Sequence, residues 1–413
     1  MKKIVFVLLT VCFACSIWAQ DATRISVANL KKHVAYLASD KLKGRRTGER
    51  GEQKAAKYVQ REFERVGLAP KGTDGYYHRF LFRYNPHNPH GEGRIDAPER
   101  EGTNVVGYLD NGAEYTIVVG AHLDHLGLGH DGNSLDPNPG GKIHNGADDN
   151  ASGTAGVLEL ARIYSQNGIK EQYNLLFICF SGEELGLYGS KRFCENPTID
   201  LKKVHLMLNM DMIGRLDTTK ALLVGGVGTS PDLDEIAQAC ATTFRVKLDS
   251  AGVGPSDHTS FYLKDIPVLF LFTGQHSDYH KPSDDANLVN YDGEREVLEY
   301  AMRVLAAADK APKFAFTATK SKDAGGNTGF KVTLGIMPDY VFDGVGLRVD
   351  GVTEGKPASK AGLKAGDIIV GMGAFEVKGM EDYMGCLQKF NKGDTTIVRF
   401  RRDGADQEAK VTF

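Results

Sequence analysis

The sequence predicts an α/β protein: a large, mostly parallel sheet with helices on both faces, followed by a small β-rich module. Three observations carry the prediction. Strand-like and helix-like segments alternate from residue 103 to residue 308, the pattern of a sheet covered by its own crossover helices. Two strand-like runs are strongly apolar, 175–180 throughout and 204–210 apart from His205 and Asn209, as strands buried on both faces are. Around 312–329 the composition shifts to Lys, Ser, Asp, Gly and Asn, which suits a linker between two units. At 413 residues the chain is longer than one ordinary core supports. The expected organisation is a leader at 1–19, a large domain at 20–310, a linker at 311–329 and a small domain at 330–413.

In order along the chain, Lys2 and Lys3 precede an apolar run at 4–17 and a small Ala19, the layout of a secretory signal peptide. This predicts an exported protein, periplasmic or extracellular. Lipidation at Cys15 is disfavoured because Cys12 and Phe13 make a poor lipobox, so membrane association is expected only in that case. Four cysteines follow the leader, Cys179, Cys194, Cys240 and Cys386, none in C-x-x-C spacing, which argues against a cysteine zinc site. Apolar residues at helical spacing predict helices at 27–37 and 53–66. Pro, Gly, His and Asn crowd 84–100, a surface loop. Strands are expected at 105–109, 115–121, 175–180, 204–210, 221–224 and 267–272, and helices at 152–166, 231–244 and 294–308. The formal net charge of −3 gives no footprint for nucleic acid.

Chemistry-bearing residues cluster at the ends of these strands. His122 and Asp124 follow the strand at 115–121, Glu183 and Glu184 follow 175–180, Asp211 follows 204–210, and Asp149 stands at the start of the helix at 152–166. Ligands in open α/β sheets bind beyond the carboxyl ends of the strands, so these groups are expected to converge on one rim. Carboxylate and imidazole suit zinc, and a carboxylate can bridge two ions. Two metals about 3.5–4 Å apart need such a bridge, terminal ligands for each, and one further carboxylate to take a proton from water. Asp124 is placed to orient the His122 imidazole. Asp148 reads as a helix N-cap. His125, His130, His144 and His276 read as loop or rim residues, and His258 has no derivable role. The residues thus point to a two-metal hydrolase.

These motifs resemble the co-catalytic zinc peptidases of metallopeptidase family twenty-eight, the aminopeptidase Y and bacterial leucyl aminopeptidase type. The resemblance runs from about Val27 to Ala308 and includes L-A-S-D-K-L-K-G-R-R-T-G and P-S-D-H-T-S-F. It implies the zinc exopeptidase fold and two zinc ions per chain. His122 and Asp211 would be terminal ligands of one zinc, Glu184 and His280 of the other, with Asp149 the bridge and the peptide after it cis. Glu183 would be the general base, and Tyr279 resembles a tyrosine that holds the developing oxyanion in some members. The stretch 69–103 is too short for the protease-associated domain that many relatives carry. The C-terminal module resembles a PDZ domain, with Gly344, Val345, Gly346 and Leu347 as its carboxylate-binding loop and the strand from Leu347 as the edge on which a peptide C-terminus pairs. The expectation is an exported metallopeptidase acting on peptides, an aminopeptidase first. The alternatives are a carboxypeptidase or single-zinc glutaminyl cyclase on the same scaffold, or a non-catalytic peptide-binding protein.

Overall fold

The computed structural model describes residues 24–84, 98–216, 221–319, 332–339, 342, 344–352 and 355–413. The expected leader and most of the expected loop at 84–100 lie outside them.

The large domain opens with helix α1 (Val27–Leu37), capped where the Ser26 hydroxyl accepts from the Asn29 amide, and buries Leu30, Val34 and Leu37 along one stripe. Helix α2 (Arg50–Arg65) starts three residues before its first expected position and buries Ala55, Ala56, Val59 and Phe63. Between them a tight 3-10 turn (Asp40–Arg45) passes through left-handed Lys43 and Gly44. The Gly44 backbone runs so close to the Gly127 and His144 carbonyls that no Cβ fits there.

The sheet follows. Its strands are β1 (Ala69–Pro70), β2 (Tyr77–Arg83), β3 (Glu99–Leu109), β4 (Thr116–His122), β5 (Asn174–Phe180), β6 (Val204–Met210), β7 (Leu222–Gly225), β8 (Val246–Asp249) and β9 (Val268–Phe272). Their order is β1-β3-β5-β4-β6-β9-β7-β8, with β2 also on β3. The centre, β5-β4-β6-β9, is parallel throughout. The flanks turn antiparallel at β3 and at β7. Alternate residues of the central strands face two separate cores. Ile117, Val119, Phe177 and Leu208 pack with α1, α2, α3 (Gly153–Gln166) and α7 (Tyr291–Lys310). Val118, Ile178, Phe180 and Met207 pack with Phe193 of α4 (Tyr188–Glu195) and Phe261 of α6 (His258–Tyr262). Helix α5 (Leu233–Ala239) is half the expected length. The domain is therefore the expected α/β class, with helices on both faces.

Because β4, β5, β6 and β9 run in one direction, their carboxyl ends share one rim. His122 ends β4, Asp211 follows β6, and the chain reaches Glu183 just past β5.

The small domain is a separate antiparallel sheet of β10 (Ile336–Pro338), β11 (Leu347–Val352), β12 (Ile368–Met372), β14 (Thr395–Arg402) and β15 (Ala405–Thr412), with β13 (Phe375–Glu376) on β12. Leu334, Val349, Ile369, Val398 and Val411 centre its core, which helices α8 (Pro357–Lys360) and α9 (Met380–Leu387) complete.

The first part of the expected linker is not a free tether. Residues 311–319 form a strap on the large domain. The Phe314 ring stacks at 4.2 Å on His205, which stacks at 4.2 Å on Tyr173. The Phe314 amide donates to His205 Nδ1, the Thr317 amide to the Thr229 carbonyl and the Thr319 amide to the Tyr262 hydroxyl. The Lys, Ser, Asp, Gly and Asn that suggested a linker lie in 320–327, beyond the two phenylalanines that anchor this stretch.

Candidate metal centre

The strand-end residues meet on the rim. His122 Nε2 lies 3.3 Å from Asp211 Oδ1 and 3.3 Å from Asp149 Oδ1. His280 Nε2 lies 3.2 Å from Asp149 Oδ2 and 3.1 Å from Glu184 Oε2. Asp149 thus turns one carboxylate oxygen to each of two donor sets. It can do so because the chain enters α3 through a π-helical turn (Ala147–Ser152) with non-helical Asp149 and Asn150, joined by a cis peptide. Ligands about 2.0–2.1 Å from a tetrahedral ion lie roughly 3.3–3.4 Å apart, so both sets fit a zinc-sized cation.

Each donor is held from behind. His122 Nδ1 reaches the Asp124 backbone carbonyl at 3.2 Å, closer than the Asp124 carboxylate at 3.6 Å; the expected carboxylate contact is therefore the longer of the two. Asp124 also accepts from the Thr47 hydroxyl at 2.8 Å and from the Glu183 amide. Ser256 donates to Asp211 Oδ2. The Asn133 carbonyl accepts from His280 Nδ1. Asp284 accepts the Asp148 and Asp149 amides.

Arg45 binds the whole together from inside. It is fully buried, and its guanidinium donates to the carbonyls of Leu37, Leu123, Asn145 and Gly146. Two of these flank the segments that carry His122 and Asp149. Burial lowers its pKa to about 10, against the raising charges of Asp124 and Asp149.

Electrostatics separates the two glutamates. Burial pushes Glu183 well above the usual carboxylate range; His122 opposes this, while Asp211 and Glu184 add to it. Burial also raises Glu184, but the His280 and His125 imidazoles outweigh burial and Asp149, and bring it to about 2. Glu183 stands apart from the donor sets, with Oε2 4.0 Å from His122 Nε2. Tyr279 lines the cleft and stacks on His280 with ring centroids 3.9 Å apart. Met212, Pro255, Phe270, Phe272 and Gln275 form the rest of the wall.

Several expectations are corrected. His125 is not a rim residue: it is buried, with Nδ1 2.6 Å from Glu184 Oε1. Its place three residues after His122 was the available signal. Asp148 does not cap α3; it accepts from the Gly214 amide and the Ser152 hydroxyl and pairs with His276. His144 is buried against Ser134, and His258 is buried and stacked on Phe270. His130 is exposed, as expected.

In the small domain, Gly344, Val345 and Gly346 lead directly into β11 at Leu347. β11 is paired on one side by β10 and on the other by β12. The Gly346 amide already donates to the Lys378 carbonyl. β10 takes the β11 edge at 349–352, and β12 pairs with Leu347 and Arg348.

A mostly parallel sheet with two imidazole–carboxylate donor sets sharing one aspartate defines an α/β domain with groups on its rim that could hold a metal ion. Residues 104–305 match Peptidase family M28, and residues 317–413 match the PDZ domain. The large domain is therefore a peptidase family M28 domain and the small one a PDZ domain. The chain is 30% identical over 222 residues to leucine aminopeptidase 1 of Coccidioides posadasii, covering 50% of this chain and 54% of that protein. It is 32% identical over 176 residues to leupeptin-inactivating enzyme 1 of Streptomyces exfoliatus, covering 41% and 35%. The chain thus spans about half or less of these relatives' lengths. Its fold is similar to an aminopeptidase from an Aneurinibacillus strain (TM-score 0.55, 17% identity, 73% of this chain and 98% of that one). It is similar too to the LapA aminopeptidase of Legionella pneumophila (TM-score 0.53, 22% identity, 72% and 75%).

Proposed function

We propose that this chain is an exported zinc peptidase, an aminopeptidase removing N-terminal residues, that uses two zinc ions. The observation that carries the reading is the Asp149 carboxylate, which offers one oxygen to the His122–Asp211 set and the other to the His280–Glu184 set. Zinc, when bound, supplies an acidified water and polarises the scissile carbonyl. Glu183, which burial holds above the usual carboxylate range, takes the proton from the water and passes it to the leaving amine. Tyr279 on the cleft wall is the donor to the developing oxyanion. The apolar part of that wall, Met212, Phe270 and Phe272, favours an apolar side chain next to the bond that is cut. Two complete donor sets favour two ions over a single-zinc cyclase.

The small domain is proposed to bind peptide C-termini along β10. This strand ends the sheet order among the described residues and so offers an edge on which an extended peptide can pair.

The test is hydrolysis of a panel of aminoacyl amides, N-blocked peptides and N-terminal glutaminyl peptides, before and after chelation and zinc return. Cleavage restricted to free-amine substrates, lost with chelator and restored by zinc, supports the reading. Activity on blocked peptides alone, or cyclisation without hydrolysis, overturns it.

A further inference from the structure

The His125 ring has a place in the site that its surroundings fix. It packs against Gly146, so closely that a Cβ there would clash with the ring carbons Cγ and Cδ2. Gly146 is itself pinned, since Arg45 donates to its carbonyl. The ring is buried and held in one plane, and Nδ1 is the only ring nitrogen with a hydrogen-bond partner: Nε2 is buried without one. The partner is Glu184 Oε1 at 2.6 Å. The other oxygen of the same carboxylate, Oε2, faces His280 Nε2 at 3.1 Å. The nearest Asp149 oxygen is 3.8 Å from His125 Nδ1, beyond hydrogen-bond range. His125 therefore grips one face of Glu184 and leaves the other to the His280 set.

We propose that His125 is a positioning residue for the His280–Glu184–Asp149 cation site: its Nδ1–H fixes the Glu184 carboxylate so that Oε2 stands as a cation donor. The inference rests on the two-cation reading above. It predicts an asymmetry that this reading does not contain. The His122–Asp211 set has no contact with His125, whereas the other set depends on it. Hydrogen-bond partners of metal-binding carboxylates and imidazoles typically change affinity roughly 10–100-fold when removed. The loss should therefore fall on one of the two ions.

The geometry also says which replacement rescues. An asparagine amide nitrogen occupies nearly the position of His Nδ1 and can donate to Glu184. A glutamine amide reaches instead toward the position of Nε2, where no partner stands. A leucine donates nothing.

The experiment is zinc titration and stepwise chelator withdrawal of the full chain, counting ions by elemental analysis. Cobalt absorption reports the coordination of each site. Wild type and His125→Asn should bind two ions. His125→Leu and His125→Gln should bind one as tightly as wild type and the second roughly 10–100-fold more weakly, with the cobalt bands of only one site altered. Should His125→Leu not fold, His125→Gln serves the same comparison. Two equally tight ions in His125→Gln would overturn the inference, as would an asparagine variant as weak as the glutamine one. A wild type that binds a single ion overturns the two-cation reading instead, and the inference with it.

Discussion

Glu183 and Glu184 are adjacent in the chain and opposed in environment: one is pushed well above the usual carboxylate range and the other drawn to about 2. Glu183→Gln should leave zinc content unchanged while kcat falls at least ~100-fold to 10,000-fold, the usual share of a general base. Elemental analysis beside steady-state kinetics checks this. Loss of zinc would mean that Glu183 is a ligand. A second residue, Glu52, is buried beneath the site, where it accepts from the Ser181 hydroxyl and the Thr103 amide. Burial raises its pKa from 4.5 to about 8, against those two hydrogen bonds. Between these values the folded chain keeps a proton that the unfolded chain has released. Stability is then full below the lower value and falls as pH rises through the window. Glu52→Gln removes that fall, so its stability advantage over wild type should grow from pH 5 to pH 8 by on the order of a few kcal/mol. Denaturant melts at both pH values decide it, and a constant difference would show that Glu52 does not titrate there. The residues at strand ends were legible because strand direction alone delivers them to one rim. Thr47 and Ser256 were not, because each acts through a contact between distant segments that no local pattern announces.

Elements were legible where burial is uniform and lost where it is mixed. β4, β5 and β6 read correctly because a strand covered on both faces is predominantly apolar. β2 alternates buried Phe80 and Phe82 with exposed Arg79 and Arg83, and no strand was expected there. The expected helix at 231–244 stops at Ala239, since Thr242 and Thr243 are poor helix formers. The turn at 40–45 carried no periodicity, although it holds Arg45, which joins three segments. Arg45→Lys keeps the charge but not the fork, so some of the four carbonyls lose their partner. At about 1–3 kcal/mol for each buried group left unsatisfied, a loss of roughly 2–4 kcal/mol is expected in a denaturant melt. A change within about 0.5 kcal/mol would show that lysine or water replaces the fork.

At the scale of the molecule, the two-unit organisation was legible from composition, and the matches at 104–305 and 317–413 agree with it. The junction was not legible, because the polar run at 320–327 drew the expected linker back over Phe314 and Phe316. Phe314 is buried to 2% exposure, so Phe314→Ala should destabilise the large domain by roughly 3–5 kcal/mol without altering the fold of the small one. Thermal melts of the full chain beside those of the isolated segment from residue 332 onward check this. An unchanged large-domain transition would mean the strap adds nothing.

The strap has a consequence for how such chains can be recombined. The PDZ match begins at residue 317, yet Thr317 and Thr319 are hydrogen-bonded to the large domain. The homology boundary therefore falls inside the physical body of its neighbour. A chimera joined at 311 would strip the covering ring from His205 and leave Tyr173 and His205 as an apolar patch open to solvent, a site for self-association. One joined after Thr319 carries its seal with it. Exchange of the small domain between relatives is thus free only on the far side of Thr319, and a fusion partner grafted there should inherit a large domain that is already closed.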